Sequence, residues 1–252
     1  PTDRKEPKTV AFIQCVGSRD ASRGNPYCSN FCCMNTVKDC LLIKDHFPDV
    51  DIKVFYIDIR AFGKGFEDLF QRSKEAGTIY VRGIPGEVEE DQETKSLRLY
   101  VENTTEGGTE CHEADMVILS VGAVPRRDSD VIQKLLTLQR SQDGFFLEAH
   151  PKLKPVDAAT QGVFFAGCAE SPKDIKDSVT QAGAAAARAN RLMMQGKVSV
   201  EAITSTVIPE LCKSCGICVK VCPYHAISCD TKAKKPAVVI EAACAGCGAC
   251  SA

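Results

Sequence analysis

Apolar positions come in short runs separated by polar stretches. After a polar lead over residues 1–8, Thr9-Val-Ala-Phe-Ile-Gln14 is a run suited to a buried strand. A loop over 17–25 follows, and the pattern then predicts a helix from about Asn30 to Phe47 and a second strand over Asp51–Ile57. Strand, helix and strand so closely spaced predict a parallel βαβ unit with a right-handed crossover. Phe66 to Ala76 predicts a helix closed by Gly77, a usual C-terminal cap residue. Short strands are expected at 78–82, 97–102 and 115–121, with a hairpin-like turn over Asn103–Gly108. The connector 125–144 carries a short amphipathic helix near 130–138, and Gly162-Val-Phe-Phe-Ala-Gly167 predicts another buried strand. Ser178 to Met194 is alanine-rich and nearly free of β-branched residues, so strongly helical, with Gln195-Gly-Lys197 ending it. From Pro209 the composition shifts to Cys, Gly and Ala, which predicts a boundary near residue 200.

Composition narrows the class. The 252 residues are 44% hydrophobic and 25% charged, ordinary globular values that exclude bulk disorder. Thirty-one basic against 33 acidic residues leave a net charge of −2, with no basic excess to neutralise phosphates, so a nucleic-acid partner is not expected. No apolar run approaches the roughly 20 residues needed to cross a bilayer, and no signal peptide opens the chain. A soluble, cytoplasmic protein is therefore expected. The chain starts at Pro1 and ends at Ala252, two residues past a cysteine that looks mid-motif, which suggests a piece of a longer polypeptide.

Fifteen cysteines change the picture. Their tight spacings, odd number and non-secretory context favour metal ligation over disulfides and a reducing, anoxic interior. Cys212-x2-Cys215-x2-Cys218-x3-Cys222-Pro223 matches the bacterial ferredoxin run for a [4Fe–4S] cluster. Its first three thiolates take three corners of one cluster; the fourth, before proline, is expected to start a short helix and reach the other cluster of a pair. A second run, Cys244-x2-Cys247-x2-Cys250, would place its own fourth ligand at position 254. With the usual exchange, Cys244, Cys247, Cys250 and Cys222 complete one cluster, while Cys212, Cys215 and Cys218 hold another. A zinc ribbon would need two C-x2-C knuckles and not triplets. Cys229, outside both runs, is expected to be a small buried thiol in the strand between them.

Four more cysteines gather at the first strand-turn. Where a dinucleotide fold would carry G-x-G-x-x-G, the chain reads Gln14-Cys-Val-Gly-Ser-Arg-Asp20, and Gly17 alone cannot cradle a pyrophosphate. Cys15 closes the strand; Cys28, Cys32 and Cys33 approach or open the helix, with Cys28 and Cys32 spaced i and i+4. The positive helix end there favours thiolates and an anionic cluster, whereas plain buried cysteines are the alternative. Cys40, two turns further, is expected in the core.

Two stretches resemble parts of two-dinucleotide flavoproteins. Asp115-Met-Val-Ile-Leu-Ser-Val-Gly122-Ala-Val-Pro125 is similar to their strand-to-glycine crossover. Gly162-Val-Phe-Phe-Ala-Gly167-Cys168 is similar to their second flavin motif, with Cys168 where an acidic residue usually holds the ribityl chain. The helix after it, near Ser178-Val179-Thr180-Gln181, would aim its amino end at the flavin N1–O2 edge. Lys173 could add a positive charge, although a solvated surface lysine is the simpler expectation. The primary flavin glycine motif is absent, so only a half-site for FAD is expected.

Together, Phe12-Ile-Gln-Cys-Val-Gly-Ser-Arg19, Tyr27-Cys-Ser-Asn-Phe-Cys-Cys33, residues 162–187 with Pro172-Lys-Asp-Ile175, and the ferredoxin run carry a family likeness. They resemble the A-type subunit, an iron–sulfur flavoprotein, of the CoB–CoM heterodisulfide reductase family. The resemblance covers the whole chain but only the C-terminal part of such a subunit. It implies an α/β, thioredoxin-reductase-like (Rossmann-type) partial flavoprotein domain followed by an α+β bacterial-type ferredoxin domain. The expected layout is a nucleotide-domain-like module with a four-cysteine site over 1–125, a return segment of the FAD-binding domain over 126–200, and a truncated 2[4Fe–4S] ferredoxin-like domain over 201–252. The resemblance further implies that Cys15, Cys28, Cys32 and Cys33 carry a cluster where a nicotinamide cofactor would bind. Implied partners are other subunits of a heterodisulfide-reductase-type complex and a ferredoxin, hydrogenase or dehydrogenase electron donor. The expected function is electron relay between FAD and those partners, with electron bifurcation a family trait. A pyridine-nucleotide-dependent reductase fused to a ferredoxin and a non-enzymatic iron–sulfur scaffold are the alternatives. This piece alone is not expected to be catalytically complete.

Overall fold

In the computed structural model, which describes residues 6–23, 25–196 and 203–251, strand β1 (Thr9–Val16) is buried from Val10 to Cys15. The chain continues through α1 (Cys32–His46), β2 (Asp51–Tyr56), α2 (Phe66–Glu75) and β3 (Ile79–Arg82). An antiparallel meander follows, β4 (Pro85–Glu90), β5 (Leu97–Glu102) and β6 (Thr109–Ala114), and then β7 (Met116–Val121). The strands β3, β2, β1 and β7 form a sheet in that order, every pairing parallel.

Period-two alternation along β1 sorts its side chains onto two cores. Ala11 and Ile13 pack with Phe55, Val81, Leu99, Val101 and Ala114, the face covered by the meander. Val10 and Phe12 pack with Cys40, Val50, Ile52 and Val54, the face covered by α1. Cys40 is the core residue the spacing suggested, and burial pushes its thiol up to about 12. The α1 helix starts at Cys32 because Asn30 takes a left-handed conformation (φ +62°), which Asn tolerates better than most residues. Cys28 therefore lies off the helix, and its i, i+4 spacing to Cys32 is not a helical one. At the end of α2, Gly77 (φ +90°) closes the helix as its sequence position predicts.

The chain packs as two units. The first takes residues through Pro125 together with 142–145 and 167–180; the second takes 126–141, 146–166 and the residues from 181 on. In the second, α3 (Ser129–Leu136) precedes an antiparallel hairpin of β8 (Glu148–His150) and β9 (Lys154–Ala158). The strand expected at 162–167 does not form. Phe164 makes one isolated bridge to Asp157, and Gly162 is left-handed (φ +87°). The apolar side chains there are satisfied by packing instead of a ladder: Phe165 and Val163 join Leu138, Ala158 and Phe146, with the Phe146 and Phe165 rings stacked at 5.6 Å. Helix α4 (Ile175–Gln195) starts one turn before its expected position. The ferredoxin-type segment has α5 (Ile217–Val221) and the two-residue strands β10 (Ile227–Ser228) and β11 (Val238–Val239), paired antiparallel. Helix α4 stops at Gln195 with Gly196 left-handed (φ +61°), as Gln195-Gly-Lys197 predicts, while Lys197 and the boundary near residue 200 fall outside the described residues. Among the described residues no helix is long and apolar enough to cross a membrane.

Candidate metal and cofactor sites

At the carboxyl end of β1 the ladder to β7 slips between Ile13 and Val16, and Cys15 takes the left-handed region (φ +59°). A non-glycine residue in that conformation is strained and needs support from its surroundings. The support is local: Ser18 N–H returns to Cys15 O at 3.1 Å, and Arg19 N–H reaches Tyr27 O at 3.0 Å, so the turn folds back over the approach to α1. Cys15, Cys32 and Cys33 are buried and Cys28 is half-buried. The four thiols are electrostatic neighbours: Cys15 feels Cys33 and Cys28, and Cys32 feels Cys33, Cys15 and Cys28. The four cysteines of the first strand-turn thus lie within electrostatic reach of one another.

Burial above all, then Cys33, pushes the Cys15 thiol up, while the Arg19 guanidinium beside it pulls down. Cys32 hydrogen-bonds to Cys33, which raises Cys32 and lowers Cys33, so the pair parts readily with one proton and reluctantly with a second. Arg19 is held by a bidentate pair to Asp58 at 2.6 and 2.9 Å, which in turn keeps the Asp58 carboxyl below its usual range. Asn30 N–H donates to Cys28 Sγ at 3.3 Å. Sulfur-rich, partly dehydrated and supplied with one cation and an N–H···S bond, this donor set fits an iron–sulfur cluster.

The same loop is tied to residues singled out for flavin. Ser29 Oγ accepts from Ala123 N–H and Tyr27 OH donates to Ala123 O, both at 2.9 Å, beside Gly122 and Pro125. A Cβ on Gly122 would lie 3.0 Å from Gly17 O and from Ser18 Cβ, so glycine lets the ends of β7 and β1 approach. Asn30 Nδ2 donates to Pro172 O at 3.2 Å, which ties the 167–180 segment to the cysteine loop. Gly167 is left-handed (φ +68°) and Cys168 is exposed, its thiol 3.6 Å from Lys173 O.

Two expectations change here. Lys173 is not a solvated lysine: its side chain is 11% exposed, and Nζ donates to Gly167 O, Glu170 Oε2, Ser171 O and Ser171 Oγ at 2.7–3.1 Å. Its charge braces the loop and is paired with Glu170. The amino end of α4 is also not at Ser178–Gln181. It lies at Ile175, where Asp174 Oδ1 accepts from Asp177 N–H at 2.7 Å, so Val179, Thr180 and Gln181 stand in the second turn. The Asp174 carboxylate therefore caps the actual amino end of the helix, ahead of the residues the flavin reading had placed there.

In the ferredoxin segment, Cys222, Cys244, Cys247 and Cys250 line one small pocket with Ser205, Tyr224, Ala226, Ala245 and Ile227. The crossed set expected from the two runs is brought together. Backbone N–H groups point at its sulfurs: Ser205 to Cys244 and Ala226 to Cys222, each at 3.4 Å, while Ser205 Oγ lies 3.1 Å from Cys250 Sγ. Cys222 ends α5 and does not start a helix, because Pro223 forces the residue before it into an extended conformation. In the first run, Ala237 N–H donates to Cys212 Sγ at 3.4 Å; that bond and one from Ser214 lower the Cys212 thiol. Ser214 and Gly216 are left-handed, as are Gly246 and Gly248 in the second run, which turns successive N–H groups toward the sulfurs. Among the described residues no three His, Cys, Asp or Glu side chains converge tightly enough for a single metal ion.

Residues 205–228 match the family model for a 4Fe-4S binding domain. Over 228 residues, 90% of the chain, it is 54% identical to an A-type iron-sulfur subunit of the CoB--CoM heterodisulfide reductase of Methanopyrus kandleri. The chain belongs to the family of A-type heterodisulfide reductase subunits. Another relative, the A-type subunit of the H(2):CoB-CoM heterodisulfide,ferredoxin reductase of Methanothermobacter thermautotrophicus, is 47% identical over 229 residues. The chain spans about a third (35%) of the length of either relative. Among solved structures, thioredoxin reductase from Lactococcus lactis aligns with 76% of the chain and 54% of its own at 16% identity and a TM-score of 0.49. The chain unites a parallel sheet in the order β3-β2-β1-β7 with a segment that matches a 4Fe-4S binding domain.

Sequence reasoning missed one feature of the site. Cys229, expected as a small buried thiol within the strand between the runs, is half-buried and stands just after β10, its Sγ 3.7 Å from Lys235 O. Nothing in its spacing marks it, because it arrives by the β10 fold-back and not by a run.

Proposed function

We propose that this chain is the electron-relay portion of a flavin- and iron–sulfur-dependent subunit of heterodisulfide-reductase type, working in the cytoplasm. In this reading Cys15, Cys28, Cys32 and Cys33 hold one [4Fe–4S] cluster, and Cys222, Cys244, Cys247 and Cys250 hold another, with Cys212, Cys215 and Cys218 beginning a third. Gly122, Pro125, Gly167, Cys168, Lys173, Val179, Thr180 and Gln181 form part of an FAD site completed elsewhere in the full-length protein. The modules are 1–125, 126–200 and 201–252. The partners are the other subunits of the complex, with electrons supplied by a ferredoxin, a hydrogenase or a dehydrogenase.

The observation that carries the reading is four thiols within electrostatic reach of one another at the carboxyl end of β1, where a nucleotide fold ordinarily receives its cofactor. Bound clusters supply one-electron transfer at potentials the protein sets. The chain's own residues exclude water around Cys15, Cys32 and Cys33, place Arg19 beside that site, and donate N–H groups to cysteine sulfurs at both ends. The cation and the N–H groups stabilise the more negatively charged state, whereas the exclusion of water opposes it. The hydrogen bonds through Ser29, Tyr27 and Asn30 keep the front thiols against the flavin-side segments, which suits hand-over across a fixed short gap. A nicotinamide site is disfavoured there, since Gly17 is the single glycine in the turn.

Anaerobic iron and sulfide quantitation tests this. Replacing Cys32 and Cys33 by serine should remove about four irons per chain. Unchanged iron would remove the front cluster from the reading and leave the ferredoxin segment standing.

A further inference from the structure

We propose that Gln14 donates a side-chain N–H to a sulfur of the front cluster and so helps to set its potential. The inference rests on the reading of Cys15, Cys28, Cys32 and Cys33 as one cluster site and adds a residue outside that thiol set. Gln14 is 0% exposed. With nitrogen toward Thr36 Oγ1 at 2.6 Å, its amide leaves Oε1 buried without a hydrogen-bond partner among the described residues. Thr36 Oγ1 in turn lies 2.9 Å from Ser120 Oγ, so the network joins β1, α1 and β7. An idle buried polar group is costly, and folded proteins seldom leave one without a partner.

Contact length decides which end of the amide is idle. N–H···O bonds fall at about 2.7–3.2 Å and O–H···O bonds at about 2.5–3.0 Å, and a half-turn of the amide exchanges its two ends. At 2.6 Å the group facing Thr36 is the amide oxygen, which accepts the Thr36 hydroxyl proton while Ser120 donates to Thr36. The idle end is then the NH2, which carries donors only. Its place follows from the packing of β1 on α1. Phe12 shares a core with Cys40, Gln14 bonds to Thr36, and Cys32 stands one helical turn before Thr36. Two residues along a strand and four along a helix each advance about 6 Å, so the amide lies in the layer next to Cys32 and Cys33. Helical side chains lean toward the amino end, which turns Thr36 the same way. Cys15 follows Gln14 in the chain. The thiolates and sulfides of a filled site are the acceptors that this layer would meet.

The test uses the iron-loaded full-length protein, isotopically labelled at its glutamine side-chain nitrogens. Pulsed paramagnetic resonance on the reduced front cluster should show a coupling to one such nitrogen. Gln14→Met keeps the length of the side chain but has no N–H. It should retain the iron, lose that coupling and titrate at a lower front-cluster midpoint, with the ferredoxin clusters unmoved. A midpoint that does not shift overturns the proposal, and so does a coupling that survives the substitution. Loss of iron with an unchanged midpoint in the clusters that remain would make Gln14 a structural tie between β1 and α1, and that also overturns it. A labelled parent without the coupling does so even if the variant fails to fold. Unchanged iron after Cys32 and Cys33 are replaced by serine would instead remove the front cluster, and the proposal would fall with the reading beneath it.

Discussion

The front thiols and the ferredoxin thiols are built on opposite principles. Cys15, Cys32 and Cys33 are buried, with Cys15 at the carboxyl end of β1 in a four-stranded parallel sheet whose two cores include Phe12 and Phe55. The ferredoxin cysteines are half-buried or exposed, and the apolar residues buried around them are Ala226, Ile227 and Ala237 among those described. The first site is imposed by a fold that stands on hydrophobic burial; the second is a pair of loops with too little apolar area to hold their shape unaided. Preorganised thiols fix geometry and exclude water. Loops of N–H groups instead wrap the ligand and depend on it for order.

Removing iron is the strongest way to break this contrast. Metal binding to small cysteine-rich domains is worth about 10–16 kcal/mol in zinc peptides, so the ferredoxin loops should open on chelation. Amides of Ile227 and Val239 should then exchange freely, while those of Val10, Phe12, Ile52 and Val54 stay protected. Sheet amides that open together with the loops would end the distinction.

Phe12→Ala attacks the other side. The ring is 1% exposed between β1 and α1, and its loss should cost about 3–5 kcal/mol. Thermal unfolding of the first unit should fall and the front cluster should be lost first, with the ferredoxin irons retained. Loss of both sets in step would show that they fold as one.

A smaller effect separates the loops themselves. Gly246 is left-handed (φ +63°), and a Cβ there would lie 2.3 Å from Ile203 O. The conformation alone costs alanine about 1–2 kcal/mol, and the clash adds to it. Gly246→Ala should lower iron occupancy at Cys222, Cys244, Cys247 and Cys250 and leave the front site untouched. Full occupancy would mean that the loop re-forms around its cluster.

The sequence made the two regions legible to different degrees. Strands buried on both faces, such as β1 and β2, announce themselves as apolar runs, and the cysteine spacings pointed to the crossed set at Cys222. The meander strands β4 and β6 did not: β4 is almost wholly exposed and β6 reads Thr-Glu-Cys-His-Glu-Ala, so neither shows an apolar face. Gly162–Gly167 misled in the opposite sense, because an apolar run can be buried by ring stacking without joining a ladder. The start of α4 was hidden because Pro172-Lys-Asp-Ile175 was read as a motif and not as a cap. Cys229 was invisible because pairing between two-residue strands carries no periodic signal.

Ser205→Ala gives the smallest and most local test. With Cys250 bound as a thiolate, the Ser205 hydroxyl at 3.1 Å is the donor, and its hydrogen bond is worth more to the reduced, more negative cluster than to the oxidised one. One such bond is worth about 1 kcal/mol, and since only the difference between the two redox states moves the potential, the midpoint should fall by no more than about 40 mV for a one-electron couple. The Ser205 N–H bond to Cys244 survives in the variant, so iron content should not change. A redox titration followed by paramagnetic resonance should show one cluster moving while the front cluster holds its potential. Equal movement of both would mean that the sulfur environments are coupled, and that the contrast between a rigid site and a wrapped one does not extend to their electrochemistry.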